Sequence, residues 1–578
     1  MMKACRIVFS LLLASISIMM RASPAAPSFR IAGVVLNAAT GSPVRECHLE
    51  ASLRDRFRSG RTLGRSQSSS VSATTDERGH FILEVPSSGA WHLTASATGY
   101  VAMSYDAHGM YSSAVVLTAG APTYDLTFRL PPQGRISGTI LDEAGEGVRN
   151  ATVELAARPL PLPGSAQAEN NSYRRITQTD DRGVYEFAGL LPTSYRISVQ
   201  ARPWYTSTTQ RRGPSGQTAT NNSVSTQQAD LDVAYQRTWF PGVTDASQAQ
   251  LITLGPGDEQ RADVQLSPIP AIHLQLIAPS GDEQSGNLSR AAFPLIERID
   301  DPESMGQRFV QVTTRLNSQG QIDVDGLVPG TYRIRMAGPV QDAKDAVVEL
   351  TQGTTHLVDL RQDSTDLANL TLKFEGHDDE DGQPPMFVTL IDTTTGQRFG
   401  TIPGMGMGIM QRGGQGVRRK DSGFSLQVPA GRYEIAAQSR DRYLTGLAAE
   451  GAEISGRYLN VHGGNVTLVL RTASGMASVR GKSSSGGRPC VGSVVLLVPA
   501  GLDDPGSFGR VVLDQSDTDG SFNFESIVPG QYILISVDHG WTINWNDPLT
   551  LRRYLTQGTP LTLGSQSNIT QNINAQTP

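Results

Sequence analysis

Cysteine is almost missing from this chain. Three in 578 residues cannot staple a disulfide scaffold. Cys5 sits in the N-terminal leader. Cys47 and Cys490 stand near opposite ends, and a bridge between them would require the chain to fold back on itself, so two free, buried thiols are expected. Blocks of Lys and Arg with interleaved aromatics are also missing, which argues against a nucleic-acid groove, and a net charge of −6 is small for this length. No apolar run beyond the first twenty residues is long enough to span a bilayer. The nine histidines are scattered, and their spacing is read as lacking a zinc-hydrolase set. There is no G-x-S-x-G elbow. Arg480-Gly481-Lys482-Ser483 resembles the end of a phosphate loop, but Met476 stands where the loop needs its first Gly. No catalytic residue, metal ligand or cofactor is expected.

What is present begins with a leader. Lys3 and Arg6 precede an apolar run from Ile7 to Met20, followed by Ala22-Ser23-Pro24-Ala25-Ala26. This is the pattern of a secretory signal peptide over 1–26, with cleavage between about Ala22 and Ala26. Arg21 leaves an uncleaved anchor open. Export to the periplasm, cell surface or medium is therefore expected.

The rest is organised around a repeated stretch. Asp517–Leu534 reads D-T-D-G-S-F-N-F-E-S-I-V-P-G-Q-Y-I-L, and related stretches begin at Asp76, Asp180, Asn317 and, shortened, Asp421. Gly183 and Tyr195 are as far apart as Gly320 and Tyr332, Gly520 and Tyr532, and Gly79 and Trp91. In each copy an Asp or Asn caps a tight turn, with Gly accepting positive φ in most copies. Alternating apolar residues follow and predict a strand with one buried face. The repeat core is Phe81, Tyr185, Phe187, Tyr195, Tyr332, Phe424, Tyr433, Phe522, Phe524 and Tyr532. The Tyr after the second turn is expected to bury its ring and donate its hydroxyl to a nearby loop backbone.

The flanks complete a larger unit. Opening strands carry Gly33, Gly138 or Gly481, and Ala271–Ile277 and Asn369–Phe374 occupy the same place in units three and four. Closing strands fall at Asp125–Leu130, Ala262–Leu266, Thr355–Leu360, Asn465–Leu470 and Asn568–Ile573. The period is roughly one hundred residues, too long for a solenoid and right for a sandwich of about seven strands. The expected architecture is all-β, with five tandem sandwiches at 27–130, 131–266, 267–361, 362–471 and 472–578. Units three and four are the divergent ones. Single helical turns are expected at Asp245–Gln250 and Pro548–Leu555. The polar stretches 159–173 and 207–228 read as mobile loops.

These motifs resemble the carboxypeptidase regulatory-like domain, a prealbumin-like (transthyretin-like) sandwich. The likeness rests on the Gly-bearing first strand, the G-x-P-V-like turn and the Asp/Gly–Phe…Pro-Gly-x-Tyr core. It implies a non-catalytic exported protein of the envelope, since such domains also stand in tandem with no peptidase beside them. It further implies possible kinship with starch-binding-like modules.

Four binding features were weighed against plainer readings. Asp517-Thr-Asp519-Gly520 resembles a calcium loop, but Gln515 and Ser526 replace the anchoring carboxylates. The acidic run 378–381 reads as a solvated loop, and Met405, Met407 and Met410 as a loop without the Cys or His that would complete a copper site. Trp541, Trp545, Trp204, Tyr205 and Trp239 are the ligand-binding candidates, because flat rings beside Asn and Asp stack on sugars. The alternative is that these rings cap sandwich cores. Function is left between an envelope scaffold, a carbohydrate-binding protein and a structural or adhesion rod, with polysaccharide or envelope protein as partner.

Overall fold

The apolar alternation becomes antiparallel strands with one inward face. In His80–Val85, for instance, Phe81, Leu83 and Val85 are buried while the residues between them are exposed. The computed structural model describes residues 29–578 apart from 55–69, 158–172, 204–231, 279–292, 301–309, 338–345, 377–385, 401–417 and the short gaps 311, 318, 353–355, 363–366, 395–397, 421–422, 440, 503 and 505. The signal peptide, both polar loops, the acidic run and the Met-rich segment thus lie wholly or almost wholly outside the described residues.

Five pairs of facing sheets follow one plan. The opening strands are Phe29–Asn37, Gly134–Leu141, Ile272–Ile277, Leu367–Glu375 and Ala477–Ser485. Each pairs antiparallel with the strand that leaves the repeated turn and parallel with the closing strand. The corner strand pairs instead with the unit's second strand, so it lies in the opposite sheet. Apolar residues of the two sheets meet between them, as sandwich packing requires.

The parallel pair explains the opening glycines. A Cβ on Gly33, Gly138 or Gly481 would stand 2.0, 2.1 or 1.7 Å from the carbonyl oxygen of Leu126, Ala262 or Gln571 on the closing strand. Only a residue without a side chain lets the two backbones approach this closely.

The fifth unit departs from one-sided packing. Every residue of Val494–Pro499 is buried. One face meets the sandwich core, and the other meets a second cluster with Trp545, Leu551 and Tyr554. The unbroken apolar run of this strand is the sequence mark of burial on both faces. Its cover is the helix Pro548–Leu555, capped by Asp547, whose carboxylate accepts from the Leu549 and Thr550 amides. Two single 3-10 turns also occur among the described residues, Ala246–Gln248, capped by Asp245, and Gly540–Thr542, which holds Trp541.

The array also closes on itself, because residues 106–116 of the first unit meet 515–518 of the fifth. The first and fifth units are thus neighbours, so their separation along the array gives no argument against a Cys47–Cys490 bridge, yet both thiols are free and buried. Burial pushes both thiols upward, Cys490 to about 11, so they are poor nucleophiles.

Candidate functional site

The repeated Tyr makes the same bond in four units. Tyr195, Tyr332, Tyr433 and Tyr532 donate their hydroxyls to the carbonyls of Leu191, Val328, Pro429 and Val528, at 2.8, 2.8, 2.6 and 2.7 Å. In the first unit Trp91 replaces Tyr, and its Nε1 donates to the Ser87 carbonyl at 3.1 Å. The partner is always four residues back. Each corner satisfies a carbonyl where the chain crosses between sheets, a structural role. The other repeat-core rings Phe81, Tyr185, Phe187, Phe522 and Phe524 are buried. Phe424 lies on the strand Gly423–Pro429, opposite Leu372.

The repeated Asp is not used uniformly. Asp76 Oδ1 accepts from the Arg78 and His80 amides, Asp180 Oδ1 from Arg182 and Val184, and Asn317 Oδ1 from Gln319 and Gln321. Those backbone bonds hold the Asp76 and Asp180 carboxyls below the usual range. Asp517 occupies the same turn position, but its carboxylate, which accepts from the Ser521 hydroxyl within the turn, also reaches the first unit. Its Oδ1 accepts from the Ala114 amide at 2.7 Å, and Arg54 Nη1 donates to Oδ1 and Oδ2 at 3.0 and 3.1 Å. Asp519 also serves the turn, accepting from the Ser521 amide.

Around this carboxylate lies a polar junction. Thr518 Oγ1 accepts from the Val116 amide at 2.9 Å, and the Thr518 amide donates to the Ala114 carbonyl at 3.1 Å. Ser113 Oγ donates to the Ser516 carbonyl at 2.8 Å. Gln515 Nε2 donates to Asp106 at both its carbonyl and its carboxylate. Burial, with Asp517 nearby, pushes the Asp514 carboxyl at the junction's edge up to about 6.

Trp541 belongs to this junction. Its ring stacks on His108 of the first unit at 4.6 Å and 5°, lies 5.7 Å from Tyr111, and donates Nε1–H to the Gly492 carbonyl. Trp545 is fully buried and packs edge-on against Tyr554 at 5.2 Å. Trp239 is buried beside Arg237. The faces of Trp239 and Trp545 are therefore enclosed in this conformation, because indole rings at unit ends find apolar neighbours before solvent. Trp204 and Tyr205 lie outside the described residues. The structure thus gathers Trp541 and Trp545 around the fifth unit's outer cluster and leaves Trp239 in the second unit.

A second inter-unit cluster was missed by the sequence reading. His273 on the third unit's opening strand bonds Asp325 through Nδ1 at 2.8 Å and Asp232 through Nε2, and Arg315 also reaches Asp325. The Asp325 bond, seconded by Asp232, pushes His273 up to about 9. Nothing local to His273 signals this, since its partners lie 41 and 52 residues away. Among the described residues no group of three or more His, Cys, Asp or Glu could hold a metal. One spacing was overlooked: His377 and Glu380 form an H-x-x-E pair, and both lie outside the described residues. No helix of the described residues is long and apolar enough to cross a membrane.

Among curated proteins none matches this chain. The Bacillus anthracis TIE protein is similar at 9% identity, with 92% of this chain and 68% of that chain covered and a TM-score of 0.14. GBS52, the minor pilin of Streptococcus agalactiae, is similar at 13% identity over 44% of this chain and all of its own, with a TM-score of 0.21. A streptococcal ancillary pilin is similar at 16% identity over 53% of this chain and 99% of its own, with a TM-score of 0.19. Residues 135–231 match the family model of the carboxypeptidase regulatory-like domain. The second sandwich is therefore similar to the carboxypeptidase regulatory-like domain, within an all-β array.

Proposed function

We propose that this chain is a non-catalytic, exported scaffold of the cell envelope, built of five units at 27–130, 131–266, 267–361, 362–471 and 472–578. The observation that carries the reading is the polar junction of the first and fifth units. Asp517 there bonds the Ser521 hydroxyl within its own turn and, unlike its counterparts, also binds an amide and a guanidinium of the first unit. Buried polar groups that satisfy one another across two units favour one arrangement of those units over others. A chain that holds its own ends in register presents a body of defined shape, which suits a scaffold for envelope proteins. The regulatory-like match at 135–231 supports the same reading, since it names a regulatory and not a catalytic module.

The test is chemical cross-linking of the protein in the envelope of producing cells, beside retention on a panel of insoluble polysaccharides. A scaffold yields cross-links to defined envelope proteins, and any polysaccharide retention is the same in Trp541→Ala. Retention lost in Trp541→Ala, without protein cross-links, would overturn this reading in favour of saccharide binding.

A further inference from the structure

A second unit boundary, between the fourth and fifth units, forms a cavity of about 250 Å³ that is open to solvent on one side. Glu434, Arg442 and Arg457 line it from the fourth unit, and Arg510, Phe508 and Tyr532 from the fifth. Phe508 also packs against the fourth unit's core.

Among the described residues its lining is unbalanced in charge, with three guanidiniums facing one carboxylate. Arg457 Nε lies 3.1 Å from Glu434 Oε1, close enough for an ion pair, yet the buried Nε makes no hydrogen bond. Arg442 donates to two neutral acceptors, Thr472 Oγ1 and the Gly376 carbonyl. Arg510 shares the Glu434 field with Arg457 and meets the further repulsion of Arg398, a buried residue. Burial is the larger cause that holds the Arg510 guanidinium below its ordinary range. Arg442, Arg457 and Arg510 are half-buried, and a surplus of partly desolvated positive charge favours a counter-ion. Guanidinium forks match planar oxyanions closely.

We propose that this cavity is an anion site that takes a carboxylate or phosphate group through Arg457 and Arg510, on a ligand no larger than a single sugar acid. The size limit applies to the part of the ligand held inside, and follows from a volume below the roughly 300–1,000 Å³ usual for sites that hold drug-sized ligands. Tyr532 forms part of the wall, and its hydroxyl is already engaged with the Val528 carbonyl. The site therefore selects by charge and size more than by a network of neutral donors. It does not depend on the scaffold reading.

Isothermal titration of the full mature chain tests it, with inorganic phosphate, glucuronate and glucose as probes. Saturable binding of phosphate or glucuronate is expected, none of glucose, and weakening as salt rises. The tighter of the two anions identifies the source of the oxyanion. Arg510→Gln should weaken binding about tenfold or more, the loss expected of one charge-assisted contact. The same variant should keep or raise the melting temperature of the empty protein, because it relieves like-charge repulsion. Weaker binding then does not report misfolding. Arg457→Lys keeps the charge but loses the fork, and should weaken binding several-fold. Absence of saturable anion binding, or equal affinity in Arg510→Gln and the parent protein, overturns the proposal.

Discussion

Asp517→Ala should open the first–fifth junction without unfolding either sandwich. The Asp517 side chain is 3% exposed and joins Arg54 and the Ala114 amide. Truncation leaves the amide of fully buried Ala114 without its acceptor, a loss worth about 1–3 kcal/mol. The Arg54 side chain is 34% exposed, so its guanidinium turns partly to water and adds less than a fully buried charge would. A total near 3 kcal/mol corresponds to junction opening about a hundredfold more often. Amide hydrogen exchange reads this directly. The useful probes are Val116 and Thr518, whose amides bridge the two units without touching the mutated side chain. Both should lose protection together, while the core strand Val494–Pro499 keeps its own. Asp517→Asn retains an acceptor for Ala114 and should cost less. Asp180→Ala, at the matching turn of the second unit, should affect only the Arg182 and Val184 amides. If Asp517→Ala leaves Val116 and Thr518 protected, the carboxylate does not hold the junction and the reasoning fails.

Two further outcomes follow from the geometry. Gly481→Ala places a Cβ 1.7 Å from the Gln571 carbonyl oxygen, so the closing strand must move. The expected cost is about 1–3 kcal/mol or more in chemical denaturation, and unchanged stability would refute the close approach. His273, raised to about 9, should remain charged at neutral pH. Its folded-state pKa lies above the ordinary histidine value, so its stabilisation is complete below about pH 6.5 and disappears as pH rises through about 9. An NMR titration midpoint near the ordinary value would contradict the Asp232–His273–Asp325 arrangement.

The sandwich units were legible because their determinants are local. Asp76, Asp180 and Asn317 bond amides two and four residues on, and the corner tyrosines bond carbonyls four residues back. Fixed spacing therefore carries the geometry. At Pro548–Leu555 the sequence suggested only a single helical turn, and the structure forms an eight-residue α-helix there, started by Asp547 and Pro548 and packed over Val494–Pro499.

The candidate sites were far less legible, because their partners are distant in the chain. Asp517 reads like any other turn Asp until Ala114, 403 residues away, is brought beside it. Trp541 reads as an exposed platform until His108 stacks on it, and Trp545 until the helix closes over the outer face of Val494–Pro499. The arginine-lined cavity forms only where the fourth and fifth units meet. The sequence by itself determined the repeated sandwich, since its turns, alternation and corners are set by neighbours a few residues apart. The tertiary structure alone decided which units touch, which aromatic faces are covered and where charge accumulates, because those depend on side chains that meet only after the units pack.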